Sequence, residues 1–317
     1  MKTIELLISV FAVAVIVSNG FCRDVLYVST LVSPQNSRIE RFDTLGTPLG
    51  GFSLGEWAPT IAVDKAGNIY ATAGASKDIR KFAPDGTSLG IFATVGTDQS
   101  VAIGLAFDQV GRLYAGVNYC CESGFDTIER IAADGTPLGV FATISTGPPG
   151  ATFELVFDAN GRLYAPDGEL VERFDLDGTS MGTFASISRS TFIIDLAFDS
   201  HSNLYVMSFA DEIYKFDPSG APLGIILTGS DLSRMTIKDD VLYIGVSNTI
   251  RKFLTDGSPL GLFVANLPGT AVDLEFVNIV PEPTGFATFA LGVFAFSARF
   301  RPHFANRQAP GSHADKR

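Results

Sequence analysis

A unit of about forty residues occurs six times in this chain of 317 residues, and it restricts the possible folds more than any other feature. The unit is an aromatic or aliphatic residue, three variable residues, Gly, two further residues, and then Leu-Gly or Met-Gly. Its copies begin at Phe42, Phe82, Ile131, Phe174, Phe216 and Phe253, at spacings of 40, 49, 43, 42 and 37 residues. Such a period indicates one supersecondary unit repeated in space.

A second unit alternates with the first and consists of a short apolar segment, a polar turn, and then Leu-Tyr or Ile-Tyr. It spans residues 61–70, 105–114, 155–164 and 196–205, and is one residue shorter at 235–243. The segments are rich in β-branched and aromatic residues and are bounded by Asp-x-x-Gly or similar turns, which predicts short strands. Gly supplies the positive φ that a hairpin turn needs, and Asp or Asn bonds its own turn backbone.

The two units together place four short strands in each period, which predicts an all-β chain. Six sets of four antiparallel strands favour a six-bladed β-propeller over residues 23–279, with a repetitive β-solenoid as the alternative. The first copy has its Leu26-Tyr27 strand but no apolar strand before it, whereas the last copy ends in an unpaired strand, Leu274-Glu275-Phe276. We therefore expect the C-terminal strand to close the first blade and leave no free edge in the ring.

The Asp-x-x-Gly-x-Leu-Tyr and Phe-x-x-x-Gly-x-x-Leu-Gly units resemble the NHL-repeat family and its six-bladed relatives, over some 255 residues. Those relatives include gluconolactonase-like and streptogramin-lyase-like proteins. The resemblance implies the fold and leaves the activity open, since one fold carries many functions. The gluconolactonase-like enzymes are implied to hold a metal with a Glu, an Asn and an Asp from different blades, and the lyases to use a histidine base.

Residues 1–20 have the order of a secretory signal: Lys2, an apolar run over 6–17, and then Ser18-Asn19-Gly20. We expect a cleaved signal peptide, with an uncleaved anchor as the alternative. Cys22 raises the question of a lipoprotein signal, but Asn19-Gly20-Phe21 before it lacks the small residue that lipidation requires next to the Cys.

The C-terminal region contains, in order, Val280, Pro281, Glu282 and Pro283, an apolar stretch over 285–298, and Arg299 and Arg301. Fourteen residues span ~21 Å as a helix, which is less than the ~30 Å hydrocarbon core of a membrane. One reading is therefore a buried or frayed terminal helix. However, residues 280–301 resemble a PEP-CTERM sorting signal, although the stretch is poor in Leu and a polar tail, 302–317, follows.

That resemblance implies an exosortase-type sorting enzyme as a partner and transient membrane anchoring through this segment. It also implies an exported protein, located at the cell surface or in the extracellular matrix of a Gram-negative-type bacterium that exports polysaccharide.

The charge balance excludes one class of partner. The formal net charge is -11, and removing both terminal segments leaves 17 basic and 31 acidic residues, a net charge of -14. Proteins that bind the phosphate backbone of nucleic acids carry clustered Lys and Arg instead.

Three Cys exclude a disulfide framework. Cys120 and Cys121 are adjacent and could form a strained disulfide, pair with another chain or remain free thiols.

Candidate ligand-binding residues come from the innermost strands, because these line the central channel of a propeller. The six equivalent positions before those strands are Thr60, Gly104, Glu154, Asp195, Arg234 and Asp273. Glu154, Asp195 and Asp273 are candidate metal ligands, with Ca²⁺ the ion that suits carboxylate oxygens. The alternative is that they are solvated acids near turns, with Arg234 neutralising a neighbour.

His201 is the one histidine outside the terminal segments, in a turn between two strands. It is either a surface residue or a general base of the kind that a lyase needs.

These features favour a non-enzymatic binding module for extracellular polysaccharide or a surface protein, with loop aromatics stacking on sugars and no catalytic residue assigned. The alternative is a metal-dependent lactonase or esterase with acids at the channel mouth.

Overall fold

The computed structural model describes residues 23–74, 76–98, 100–119, 126–144, 154–187 and 191–279. The chain divides into two units, Met1–Glu282 and Pro283–Arg317, and every described residue belongs to the first. The signal segment, Cys120 and Cys121, and the six sorting-signal residues lie outside the described residues. Within those ranges, no helix has the length and apolar character that crossing a membrane requires.

The described residues form six sheets of four antiparallel strands each, and we number these blades 1 to 6 along the chain. From the channel outward, blade 1 contains β24 (Thr270–Ile279), β1 (Arg23–Ser33), β2 (Asn36–Phe42) and β3 (Pro48–Ser53). Blade 2 contains β4 (Ile61–Val63), β5 (Ile69–Thr72), β6 (Asp78–Phe82) and β7 (Ser88–Thr94). Blade 3 contains β8 (Ser100–Phe107), β9 (Leu113–Tyr119), β10 (Asp126–Ile131) and β11 (Pro137–Ile144).

The other three blades follow the same order. Blade 4 contains β12 (Val156–Phe157), β13 (Leu163–Asp167), β14 (Leu170–Phe174) and β15 (Ser180–Ser186). Blade 5 contains β16 (Ile193–Phe198), β17 (Leu204–Ser208), β18 (Glu212–Phe216) and β19 (Pro222–Thr228). Blade 6 contains β20 (Leu232–Lys238), β21 (Val241–Val246), β22 (Thr249–Leu254) and β23 (Pro259–Val264).

This architecture confirms the six-bladed propeller and the predicted closure of the ring. Strand β24 pairs with β1 over nine residue pairs, from Arg23↔Ile279 to Leu31↔Thr270. The first and last strands of the propeller therefore share one sheet, and no blade is left with an unpaired inner strand.

The innermost strands differ from the prediction in length, because several are longer than the apolar segments seen in the sequence. Gly104, Asp195, Arg234 and Asp273 were expected to precede their strands, but they lie within β8, β16, β20 and β24. The pairing register shifts immediately before Gly104, Asp195 and Asp273, as in Ile193↔Ser208 followed by Asp195↔Met207, and between Leu232 and Met235 around Arg234. Such bulges extend a strand past an irregular residue and re-aim the side chains that follow.

The tyrosine of each second strand is the centre of the packing between blades. Tyr70 contacts Phe92 of its own blade and Phe107 of the next blade edge to face, at centroid distances of 4.7 and 5.0 Å. The same arrangement joins Tyr114 to Phe141 and Phe157, Tyr164 to Phe184 and Phe198, and Tyr243 to Phe263 and Phe276. Edge-to-face pairs are favourable beyond their buried area, so four of the six interfaces contain the same aromatic contact.

The six-residue spacing from Asp to Tyr, which recurs in several repeats, also has a structural cause. Asp64 accepts hydrogen bonds from the amides of Ala66 and Asn68 through Oδ1, and from the Tyr70 hydroxyl through Oδ2 at 3.2 Å. The aspartates of three other copies bond their turn amides and tyrosine in the same way: Asp108 with Tyr114, Asp158 with Tyr164, and Asp199 with Tyr205. Each carboxylate therefore fixes both the turn and the interface tyrosine.

The first glycine of the Gly-x-x-Leu-Gly unit is required by packing as well as by conformation. Gly178 has φ +92°, and a Cβ there would overlap the carbonyl of Phe141 on the outer strand of the preceding blade. In every other blade, the equivalent glycine likewise meets the outer strand of the preceding blade. These glycines are Gly46, Gly86, Gly135, Gly220 and Gly257. The second glycine also has a positive φ, but at Gly182 nothing lies within 4 Å of such a Cβ.

This difference gives a matched test in blade 4. We expect Gly178→Ala and Gly182→Ala each to lose about 1–2 kcal/mol of unfolding free energy for the left-handed backbone. Gly178→Ala should lose about 1–3 kcal/mol more, because the new methyl group has no room against the preceding blade. Urea unfolding of the two variants measures the difference. Equal losses would show that the close approach between blades is not needed for stability.

Candidate functional site

The connectivity of the blades defines two faces of the ring. In each antiparallel blade, the tight turns between the first and second strands and between the third and fourth lie at one end, which we call the turn face. The turns between the second and third strands and the connections between blades lie at the opposite end, the loop face. The innermost strands therefore start at the loop face and run toward the turn face.

A cavity of about 320 Å³ lies among these innermost strands, and four carboxylates line it: Glu154, Asp195, Asp273 and Glu275. The first three are the residues predicted from the sequence, and the structure brings them to one cavity. Because they stand at the starts of the innermost segments, they occupy its loop-face end, and Glu275 lies two residues further along β24. Glu275 was missed by the sequence analysis.

A signal for Glu275 was present in the repeat. The equivalent positions of the other copies hold small or uncharged residues, namely Ala62, Ala106, Val156, Ala197 and Thr236. A single acid in that series marks the position as unusual.

Asp195 and Asp273 act as clamps between blades. Asp195 accepts hydrogen bonds from the Leu196 amide on its own strand, at 2.7 Å, and from the Met235 amide on β20, at 2.6 Å. Asp273 repeats this arrangement with Leu274 and with Ile61 on β4, both at 2.7 Å. The two aspartates are 3% and 6% exposed, so each uses both oxygens to join neighbouring innermost strands in the interior.

Glu154 and Glu275 accept fewer hydrogen bonds than the aspartates, although the Val63 amide bonds the Glu275 carboxylate. No side-chain hydrogen bond within the described ranges involves Glu154, and Oε2 of Glu275 is buried without a hydrogen-bond partner there. Desolvation, followed by repulsion from Asp273 and Asp195, raises the pKa of Glu154 well above its ordinary value. Desolvation and the charge of Asp273 also raise the pKa of Glu275 well above its usual range.

The pKa values of the two aspartates are also raised above those of ordinary carboxyls. Burial raises the pKa of Asp195 to about 7 and that of Asp273 to about 6. The Arg234 guanidinium opposes these increases, and so do the amide donors, because both favour the ionised form. Arg234 therefore lowers the pKa of its acidic neighbours, but Asp195 and Asp273 are buried and not solvated as the alternative interpretation expected.

The donors that a metal ion would need are distributed differently from the prediction. Among the described residues, the group of three ligand atoms within 4.8 Å of one another is formed by Asp199, His201 and Asp240. Glu154, Asp195 and Asp273 do not form such a group, and the oxygens of the two aspartates are already engaged by amides. The Ca²⁺ site at these three residues stays a prediction, and their arrangement does not fit a chelating site.

His201 and its two acidic neighbours lie at the turn face, away from the acidic end of the channel. The Asp240 carboxylate accepts bonds from the amide and hydroxyl of Ser200, and its Oδ2 is 3.8 Å from Nδ1 of His201. Two carboxylates and an imidazole are donor types that Zn²⁺ accepts. The structure does not bring His201 together with the channel acids, so it cannot act with them as a base.

Among the described residues, three large aromatic side chains are exposed, and all three belong to loop-face segments. Trp57 lies in the connection from β3 to β4 and is 37% exposed, Phe192 precedes β16 at 50%, and Phe209 follows β17 at 75%. The Phe209 amide donates to the Phe192 carbonyl at 2.8 Å, which places these two segments side by side. The sequence predicted stacking aromatics in loops but did not identify which ones.

Neither the known family models nor the curated protein sequences match this chain. Solved structures match the fold. A protein of unknown function from Bacteroides caccae has a TM-score of 0.63 at 14% identity, covering 80% of this chain and 99% of that one.

Two structures of named activity are also similar. A gluconolactonase from Xanthomonas campestris has a TM-score of 0.55 at 18% identity, over 77% of this chain and 88% of that one. An inactive variant of virginiamycin B lyase from Staphylococcus aureus has a TM-score of 0.51 at 17% identity, over 69% and 76%. At these identities the similarity shows the fold alone.

The clamps predict an unusual pH dependence of stability. Because the pKa values of Asp195 and Asp273 are higher in the folded protein than in the unfolded chain, the folded state binds more protons between about pH 4 and pH 7. We expect the free energy of unfolding to fall as the pH rises through this window.

Urea unfolding at a series of pH values measures the slope. Replacing both aspartates, Asp195→Asn with Asp273→Asn, should reduce the slope and leave the part that the raised pKa values of Glu154 and Glu275 contribute. Asp43→Asn should leave the slope unchanged, because its turn amides lower the pKa of Asp43 and it titrates below this window. A slope unaltered by the double replacement would contradict the assignment.

Proposed function

We propose that this chain is a non-catalytic binding module, and that its loop face takes a polysaccharide chain of the extracellular matrix. The proposal includes export to the cell surface, which rests on the sequences of residues 1–20 and 280–301, and sorting by an exosortase-type enzyme. One observation carries the binding function: the exposed aromatic side chains Trp57, Phe192 and Phe209 all belong to the loop face.

Exposed aromatics are informative because a large ring loses favourable burial when it stays in water. Phe209 leaves three quarters of its surface in solvent although the blade interfaces bury many similar rings. The turn face exposes aliphatic tips instead, at Leu45, Val110, Leu176 and Leu254. Rings with an open face suit sugars, whose C–H faces are apolar while their hydroxyls remain hydrated.

The channel gives the hydrolase alternative little support. A hydrolase of the predicted kind would need carboxylates free to hold a metal and polarise a lactone or ester. Asp195 and Asp273 instead use their oxygens to connect innermost strands. Their arrangement therefore assigns them to the scaffold of the cavity, and the lactonase alternative gains no support from them.

Binding to insoluble polysaccharides tests the proposal. We expect the triple variant Trp57→Ala, Phe192→Ala, Phe209→Ala to bind at least tenfold more weakly than the parent chain, since stacked rings each contribute about 1 kcal/mol. The matched control removes three exposed side chains of the turn face, with Leu45→Ala, Val110→Ala and Leu176→Ala.

Pull-down titrations on a panel of polysaccharides measure both variants, with melting temperatures as the check on folding. The proposal fails if the two triple variants retain the same affinity, or if the parent chain binds no polysaccharide of the panel.

A further inference from the structure

A second cavity, of about 580 Å³, lies at the turn face between blades 2 and 3 and beside the end of β24. Residues of the turn from β4 to β5, of the turn from β8 to β9, and of the turn that follows β10 line it. We call it the interblade cavity. It is larger than the channel cavity of about 320 Å³, and its volume is in the range of small-ligand sites, roughly 300–1,000 Å³.

Two small residues explain the size of the interblade cavity. The next interface, between blades 3 and 4, repeats the same positions around a cavity of about 160 Å³. Val110 stands there in place of Ala66, and Leu176 in place of Ala133. Leu176 also fills the space over Gly161, where an added Cβ would lie 2.9 Å from its Cδ2. The open space is therefore a property of these alanines and not of the propeller fold.

Aromatic rings form the apolar wall of the cavity. The edge-to-face group of this interface, Tyr70 with Phe92 and Phe107, lines it together with Phe276. Contacts between rings are favourable beyond the area that they bury. A ligand with an aromatic or otherwise flat apolar body is therefore favoured over one that is polar on all sides.

Among the described residues, the ammonium group of Lys81 has no anionic partner. Lys81 lines the cavity, and its Nζ lies 4.8 Å from the ring centroid of Tyr70 and 5.6 Å from that of Phe92. Within the described part of the chain it makes neither an ion pair nor a hydrogen bond. A charged donor with unused hydrogen-bonding capacity therefore stands next to the apolar wall.

The equivalent cations of other blades show that this freedom is unusual. Nζ of Lys215 on β18 donates to the Thr255 carbonyl of the following blade at 3.2 Å. Arg41 on β2 likewise donates to a carbonyl of the following blade. The corresponding carbonyl for Lys81 is that of Ala133, and Lys81 does not bond it. In blade 2 the cation is therefore left for another acceptor.

The carboxylates of the wall are already engaged by other groups. Asp64 and Asp108 each accept two turn amides, a tyrosine hydroxyl and one further side-chain donor. Desolvation and the charge of Asp273 raise the pKa of Glu275 well above its usual range, which favours its uncharged form. Lys65 adds a second positive charge to the wall. The charged group that remains available to a ligand is the ammonium group of Lys81.

We propose that the interblade cavity binds a small organic anion with an aromatic or otherwise flat apolar body. The acidic group of this anion accepts a charge-assisted hydrogen bond from Lys81, and its body lies along Phe92 and Phe107 in the space that Ala66 and Ala133 leave. The site goes beyond the proposed function, because it lies at the turn face and uses none of the exposed loop-face aromatics.

Calorimetric titration of the full chain with four probes that share one body tests the inference. The probes are 2-naphthoate, naphthalene-2-sulfonate, the neutral 2-naphthamide and the protonated 2-naphthylmethylamine. We expect the two anions to bind at least about tenfold more tightly than the amide and the amine, because hydrogen bonds between ionised groups are the stronger ones. This comparison needs no variant, so it does not depend on how the interface tolerates substitution.

Filling the cavity locates the site. The double variant Ala66→Val with Ala133→Leu copies the residues of the next interface into this one. We expect it to weaken binding of 2-naphthoate at least about tenfold, because the added side chains occupy the space, and to keep the melting temperature. Thr255→Leu places the same leucine at the equivalent position of blade 6 and should leave the affinity unchanged.

Replacing the cation locates the acidic group of the ligand. Lys81→Met keeps the apolar stem without the charge, so it should weaken 2-naphthoate about tenfold and leave the affinity for 2-naphthamide unchanged. Lys252→Met is the matched control, because Lys252 lies over the Phe263 ring of blade 6 at 5.5 Å and should not affect either probe.

Contrary outcomes overturn either the ligand class or the site. Equal affinity for the anions and the amide, or tighter binding of the amine, overturns the anionic ligand. Binding of 2-naphthoate that survives the filling of the cavity, or no binding of any probe, overturns the site. Polysaccharide binding at the loop face should be unchanged in all of these variants, so this inference and the proposed function fail separately.

Discussion

The pairing of β24 with β1 is the constraint on which the rest of the structure depends. Six blades can surround a channel only if the last strand returns to the first, since otherwise one inner edge would stay unpaired. This pairing also completes the candidate site, because β24 carries Asp273 and Glu275. The clamp from Asp273 to Ile61 then joins the closing strand to blade 2. Closure of the ring and assembly of the acidic cavity are therefore one event.

The fold could be predicted because its determinants are periodic in the sequence. The glycine that Gly178 represents must return in every blade, since it always meets the outer strand of the blade before it. The Asp-to-Tyr spacing returns because one carboxylate fixes both a turn and an interface ring. The positions of Glu154, Asp195 and Asp273 followed from the same period.

What the sequence left open depends on local irregularity and on contacts between distant residues. The bulges before Asp195 and Asp273 insert residues into the innermost strands, and no turn signal marks them. The bonds from these aspartates reach 40 and 212 residues along the chain, so their role as clamps was not visible in any local pattern. The exposure of Trp57 or Phe209 is likewise a property of the assembled face, because most other aromatic residues of the repeats are buried between blades.

The closing strand also has a consequence in time. Leu26 on β1 pairs with Phe276 on β24. Strand β1 is therefore synthesised long before the strand that pairs with its inner edge. At about 5–20 residues per second, a ribosome needs roughly 10–50 seconds for the intervening chain. Throughout that interval β1 lacks its inner neighbour, and joining ends so far apart costs about 5 kcal/mol of chain entropy. Until β24 has been synthesised, the inner edge of β1 is therefore unpaired, and the nascent chain must avoid pairing this edge with other chains.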